Sequence, residues 1–179
     1  MAPYSLGGVR FMSLKGLSLF IATFLITSQS LAVDLTHRLG LGFSQQMGSV
    51  DIPMITAHYY PNARFAVTGA LGIDTKKDDS QFAAQVKVRR VVFTENQLNF
   101  YMGAAGGFTS HEETNATGQV ENKSNTELSG ILGAEFFFSG LDSLSFMFET
   151  GIGIVTGDGG TRFRTLGSHP FAAGIVFYF

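Results

Sequence analysis

LSFMFETGIGIVT, positions 144 to 156, divides into two faces that want different surroundings. At the period of two that an extended strand imposes, Leu144, Phe146, Phe148, Thr150, Ile152 and Ile154 fall on one face. Ser145, Met147, Glu149, Gly151 and Gly153 fall on the other. The same split recurs in QFAAQVKVRRVV (81–92), where Phe82, Ala84, Val86 and Val88 oppose Ala83, Gln85, Lys87 and Arg89. In LTHRLGLGFS (35–44), Leu39, Leu41 and Phe43 oppose Arg38, Gly40, Gly42 and Ser44. A water-soluble barrel would bury the bulky apolar face and turn charge outward. Here the charged face is also the glycine face, which suits a crowded interior. An eight-stranded barrel has an interior just wide enough for side chains to fill. Glycine and alanine leave room there for Lys, Arg and Glu, while Phe, Leu and Ile face lipid.

Working outward, five more segments carry strand patterns: IPMITAHYY (52–60), RFAVTGALGI (64–73), LNFYMGAAGGFT (98–109), TELSGILGAEFFF (126–138) and HPFAAGIVFYF (169–179). Each is near the roughly 9 to 11 residues of a tilted membrane strand. The connectors alternate. YPNA, TENQ and SGLDS are short, whereas SQQMGSVD, DTKKDDS, SHEETNATGQVENKSN and GDGGTRFRTLGS are mostly longer and polar. Short turns on one rim and long loops on the other are the pattern of an outer-membrane barrel. The sequence therefore predicts an all-β fold: a closed, eight-stranded, antiparallel up-and-down transmembrane β-barrel in which the last strand pairs with the first. Closure removes sheet edges, so every backbone group in the hydrocarbon layer finds a partner.

Composition agrees. The 179 residues include 22 Gly and 18 Phe but no Cys, which excludes disulfides and thiolate metal sites. The net charge of −2 without a basic face argues against nucleic acid as a partner. At the start of the chain, Arg10 and Lys15 precede the apolar run Leu17–Ile26 and the small-residue pattern Ser30-Leu31-Ala32. Residues 1–32 thus read as a cleaved secretory signal, with Met1 or Met12 as its start, and residues 33–179 as the barrel.

The chain resembles the small outer-membrane β-barrel family, the eight-stranded type of outer-membrane proteins A and X, over nearly all of 35–179. The resemblance rests on strand number, loop asymmetry and the terminal pattern Phe171, Ala173, Ile175, Phe177 and Phe179. It implies a bacterial outer-membrane location, a monomer in outer-membrane lipid, and recognition of those five residues by the barrel-insertion machinery. The family's girdle Trp residues are absent, so Tyr59, Tyr60, Phe93, Phe136, Phe138 and Phe177 are expected to serve.

Arg38, Arg64, Lys87, Arg89, Glu135 and Glu149 are assigned to the lumen. Isolated charge there is costly, so they are expected to pair, either as a plug of salt bridges or as a gated ion path. A lipid A-modifying enzyme would need an oriented nucleophile reachable from lipid. The nearest residues are Ser168 and His169 with Asp158, but neighbours on a strand point to opposite faces. His37 is expected on the lipid side near the start of its strand. GDGG (157–160) offers one carboxylate, too few for calcium. The expectation is a non-enzymatic barrel without cofactor or metal, structural or binding a surface ligand through its loops. A narrow pore for ions or small solutes is the alternative, and a lipid A-modifying enzyme the second.

Overall fold

The computed structural model describes residues 33–45, 52–76, 79–114, 119–165 and 171–179. The expected signal segment 1–32, with Met1 and Met12, lies outside them. Nine strands follow in chain order: β1 (Leu39–Gln45), β2 (Pro53–Asn62), β3 (Phe65–Asp74), β4 (Gln81–Glu95), β5 (Leu98–Thr114), β6 (Val120–Phe138), β7 (Leu141–Gly157), β8 (Gly160–Thr165) and β9 (Ala172–Tyr178). Each pairs antiparallel with its sequence neighbour from β1 to β8, and β9 pairs with both β1 and β7. β8 runs beside Ile152–Gly157, and β9 beside Leu144–Glu149. The two pieces are therefore successive halves of one stave, and the wall is a closed eight-stranded barrel. Among the described residues no helix is long and apolar enough to cross a membrane.

The strand phases are those of the sequence reading. Leu41, Phe43, Val86, Val88, Phe148, Ile152 and Ile154 are exposed on the outer wall. Lys87, Arg89, Glu135, Glu149 and the intervening small residues point inside. Ring pairs gird both ends of the outer wall. Phe93–Phe100, Phe136–Phe138 and Phe138–Phe146 lie towards the short turns, and Phe82–Phe108 towards the other rim.

Three differences from the sequence reading have physical causes. The first strand begins at Leu39, not Leu35. His37 takes φ 61°, and the Arg38 N–H donates to the Leu35 carbonyl at 3.0 Å. That turn folds the entering chain under the barrel and presses Leu35, 2% exposed, into the base of the lumen. His37 therefore sits in an exposed turn and not on a lipid-facing strand. Second, much of the polar stretch 110–125, expected as loop, is ladder. β5 and β6 stay paired out to Thr114↔Val120. Third, Gly160–Thr165, also expected as loop, is the strand β8. Period-two burial signals only where one face is apolar. Above the lipid belt both faces are wet, and pairing continues without that signal.

Tyr60 is the fourth correction. It was expected in the girdle, yet it is buried inside the barrel, while its neighbour Tyr59 is exposed on the wall. Two further tyrosine rings, Tyr101 and Tyr178, lie inside, and glycines make room for them. A Cβ on Gly133 would stand 2.5 Å from Tyr101 Cζ, and one on Gly40 would stand 2.6 Å from Tyr178 Cε1. Gly133→Ala is expected to destabilise the barrel by about 1–3 kcal/mol through overpacking, read as a lower urea midpoint in lipid vesicles. An unchanged midpoint would show that Tyr101 can move aside.

Candidate functional site: the polar plug of the lumen

The charged positions of β4, β6 and β7 meet at one level because cross-strand register places them there. Lys87 lies opposite Thr68 of β3, which lies opposite His58 of β2. Glu149 lies opposite Gly133, which lies opposite Tyr101. The Lys87 ammonium donates to Glu149 Oε2, and the Tyr101 hydroxyl donates to Glu149 Oε1 at 2.9 Å. Both charged side chains are almost wholly buried. A paired, hydrogen-bonded carboxylate is the form in which such a charge survives burial.

Glu135 forms no salt bridge among the described residues. Its Oε2 accepts from the Tyr60 hydroxyl at 2.6 Å. Its Oε1 accepts from the hydroxyls of Tyr178 at 2.6 Å and Ser145 at 2.7 Å. Three hydroxyls from β2, β7 and β9 thus share one acceptor from β6. Arg89 lies between the two carboxylates. Its guanidinium carbon sits 4.7 Å from the Tyr101 ring centre and 5.8 Å from that of Tyr60, within cation–π range. Nη2 donates to His58 Nδ1 at 2.7 Å, so that nitrogen is the acceptor and Nε2 carries the hydrogen facing Thr56 Oγ1 at 3.1 Å. Nη1 contacts Met147 Sδ at 3.7 Å.

Two of the six candidate charges sit elsewhere. Arg38 lies at the short-turn rim, where it donates to the carbonyls of Asp142 and Tyr178 and to Ser143 Oγ, tying the chain entry to β7 and β9. Arg64 does not reach the lumen. It is exposed in the two-residue turn between β2 and β3, whose geometry Asn62 fixes by accepting from the Arg64 and Phe65 N–H groups.

His58 and the three tyrosines were missed as lumen residues. Strand phase could have found them. In IPMITAHYY, Thr56, His58 and Tyr60 share a face opposite Ile55, Ala57 and Tyr59. An outward Phe177 and Phe179 force Tyr178 inward. The five terminal-pattern residues, Phe171, Ala173, Ile175, Phe177 and Phe179, are all exposed on the outer face or end of the last stave.

At the plug's own level the described side chains are sealed from solvent. Arg89, Tyr60, Tyr101, Tyr178, Phe137, His58 and Glu135 are each 2% exposed or less. Of the described histidines, His58 is sealed among threonines and His37 is in the entry turn. His111 lines a small recess of about 210 Å³ at the hairpin rim with Lys123, Asp158 and Arg162. Ser168 and His169 lie outside the described residues. Asp158 accepts from the Ser124 N–H at 3.4 Å. Among the described residues no group of three or more His, Asp or Glu is placed to hold a metal ion.

An apolar belt outside, charge inside and a closed ladder define the architecture of a small transmembrane β-barrel. The fold is similar to the N-terminal β-barrel domain of Pseudomonas aeruginosa OprF, with a TM-score of 0.58 at 12% identity, over 80% of this chain and 98% of that one. A second similar structure is Neisserial surface protein A, with a TM-score of 0.47 and 16% identity, over 79% of this chain and 94% of that one. No family model matches the sequence, and no curated protein matches it.

Proposed function

We propose that the protein is an integral, non-conducting barrel of a bacterial outer membrane that presents a surface on its long hairpins. The short turns then face the periplasm and the long hairpins face outward. The carrying observation is the plug: Lys87 and the Tyr101 hydroxyl hold Glu149, three hydroxyls hold Glu135, and Arg89 is held by His58 and two tyrosine rings, with its Nε left without a hydrogen-bond partner among the described residues. Such a closed network fixes the barrel's cross-section and gives an ion no exchangeable partner. The hairpins supply the second half of the reading. β5 and β6 project to Thr114↔Val120, stiffened by the ion pair of Lys123 with Glu113. The hydrogen bond from Lys123 holds the Glu113 carboxyl below its usual range, and the same contact raises the Lys123 ammonium. The Glu112 N–H donates to the Ser80 carbonyl, and Asp158 accepts from Ser124, so neighbouring connections brace one another. A braced, polar rim on a rigid scaffold is where binding roles concentrate. The exposed aromatic stripe from Phe171 to Phe179 serves, in this reading, as the signal for the barrel-insertion machinery.

Planar-bilayer recording tests the reading. The reconstituted protein is expected to give no conductance steps, and Glu149→Gln none either. Steps from the wild-type chain that change with Glu149→Gln would replace this proposal with a gated pore.

A further inference from the structure

One cation stands on the wrong side of the wall. Arg90 follows the lumenal Arg89 and therefore faces outward. It lies opposite Phe65, the first residue after the short β2–β3 turn, and the next N–H, that of Val91, donates to the Arg64 carbonyl in that turn. Arg90 thus sits in the short-turn half of the lipid-facing wall, level with the start of β3 and just inboard of the Phe93–Phe100 ring pair. Its guanidinium carbon is 5.9 Å from the Phe65 ring centre. No carboxylate forms a salt bridge with it among the described residues. An unpaired charge at a membrane wall is expensive unless it reaches the interface or an anion.

Directly above Arg90 the outer wall is hollow. Cross-strand partners form the row Val88, Ala104, Gly130 and Ile152, with Arg90, Met102, Leu132 and Thr150 in the row beneath. Ala104 and Gly130 leave a notch between the larger side chains, and a Cβ on Gly130 would meet nothing within 4 Å. The resulting groove has a volume of about 730 Å³ and is lined almost wholly by apolar atoms, with Arg90 among its lining residues. A second groove, of about 900 Å³ around Gly69, Leu71 and Val86, has no charged lining residue.

We infer that the Arg90 groove is a binding site for one anionic glycerophospholipid of the short-turn leaflet. The phosphate sits on the guanidinium, which presents a fork suited to phosphate oxygens. One acyl chain lies in the notch over Ala104 and Gly130. The commitment to a phospholipid rests on this combination: an outward cation without a salt bridge among the described residues, in the short-turn half of the wall, continuous with an apolar channel that runs towards the middle of the membrane. The second groove offers the channel without the cation. The inference depends on lipid contact at the wall and not on whether the lumen conducts.

Native mass spectrometry of the full chain in neutral detergent, titrated with phosphatidylglycerol, tests it. The wild type is expected to retain one lipid. Arg90→Gln is expected to weaken retention about tenfold, the worth of one charge-assisted hydrogen bond. Gly130→Leu, which fills the notch and leaves Arg90 in place, is expected to weaken it similarly. Gly69→Leu fills the uncharged groove and is expected to bind as wild type does; circular dichroism confirms that each variant is folded. Wild-type retention by either Arg90→Gln or Gly130→Leu would overturn the site. So would an equal loss in Gly69→Leu, which would mark ordinary annular lipid. Tighter binding of lipid A than of phosphatidylglycerol would place the ligand in the other leaflet and also overturn it.

Discussion

Lys87→Met is expected to destabilise the barrel by about 3–5 kcal/mol, the range for removing one partner of a buried ion pair. The substitution keeps an unbranched apolar stem only one atom shorter and removes the charged ammonium. Glu149 is then left with the Tyr101 hydroxyl as its remaining direct partner. The carboxylate must stay ionised without its cation or take up a proton, and either outcome weakens the folded state. Urea unfolding in lipid vesicles, followed by tyrosine fluorescence, measures the loss. The double variant Lys87→Met with Glu149→Gln separates charge from packing. A neutral Gln still accepts from Tyr101, so much of the lost stability is expected to return, because replacing a whole buried pair by uncharged groups is often neutral. A Lys87→Met barrel as stable as the wild type would show that the pair contributes nothing to holding the plug.

One residue earlier, the opposite change is expected to be almost as damaging. Val86 is 57% exposed on the outer wall and lies opposite Gly69 and Gly106, well inside the belt. Val86→Arg is expected to destabilise by about 2–4 kcal/mol, the range for a cation on the lipid face near the bilayer midplane. The same unfolding assay reads it, and thinner bilayers, in which the guanidinium reaches the interface sooner, are expected to reduce the loss. Val86→Leu should be near neutral. If Val86→Arg proved harmless in vesicles, the outer wall would not be a lipid surface. Together, positions 86 and 87 make the fold's polarity measurable across one peptide bond: a charge with its partner is held on one side and excluded on the other.

How far each feature was legible follows from the range over which its cause acts. Strand phase is local, since alternation in LSFMFETGIGIVT already separates Phe148 from Glu149. The same rule applied to the last stave sends Phe177 outward and Tyr178 inward. The inside-out polarity was legible because charge and glycine share one face. The candidate charges were less so. Arg64 lies one residue before Phe65 and looks like part of a strand, but the Asn62 turn claims it. Tyr60 was misread because a tyrosine suits both an interfacial girdle and a buried hydroxyl network, and its type does not say which. The upper parts of β5, β6 and β7–β8 were hidden because a ladder exposed to water on both faces need not alternate.

By itself, then, the sequence determined the class of the protein, the direction in which each belt side chain points and which strands are joined by short turns. Period-two alternation against lipid is written residue by residue. Only the tertiary structure decided who meets whom inside. Lys87 reaches Glu149 across a separation of 62 positions, Glu135 is served by hydroxyls, and Arg89 is held between tyrosine rings above His58. Those partnerships depend on the register of eight staves wrapped around a common axis. A one-residue slip in any stave would exchange its two faces, and a two-residue slip would keep the faces but change every partner in the plug.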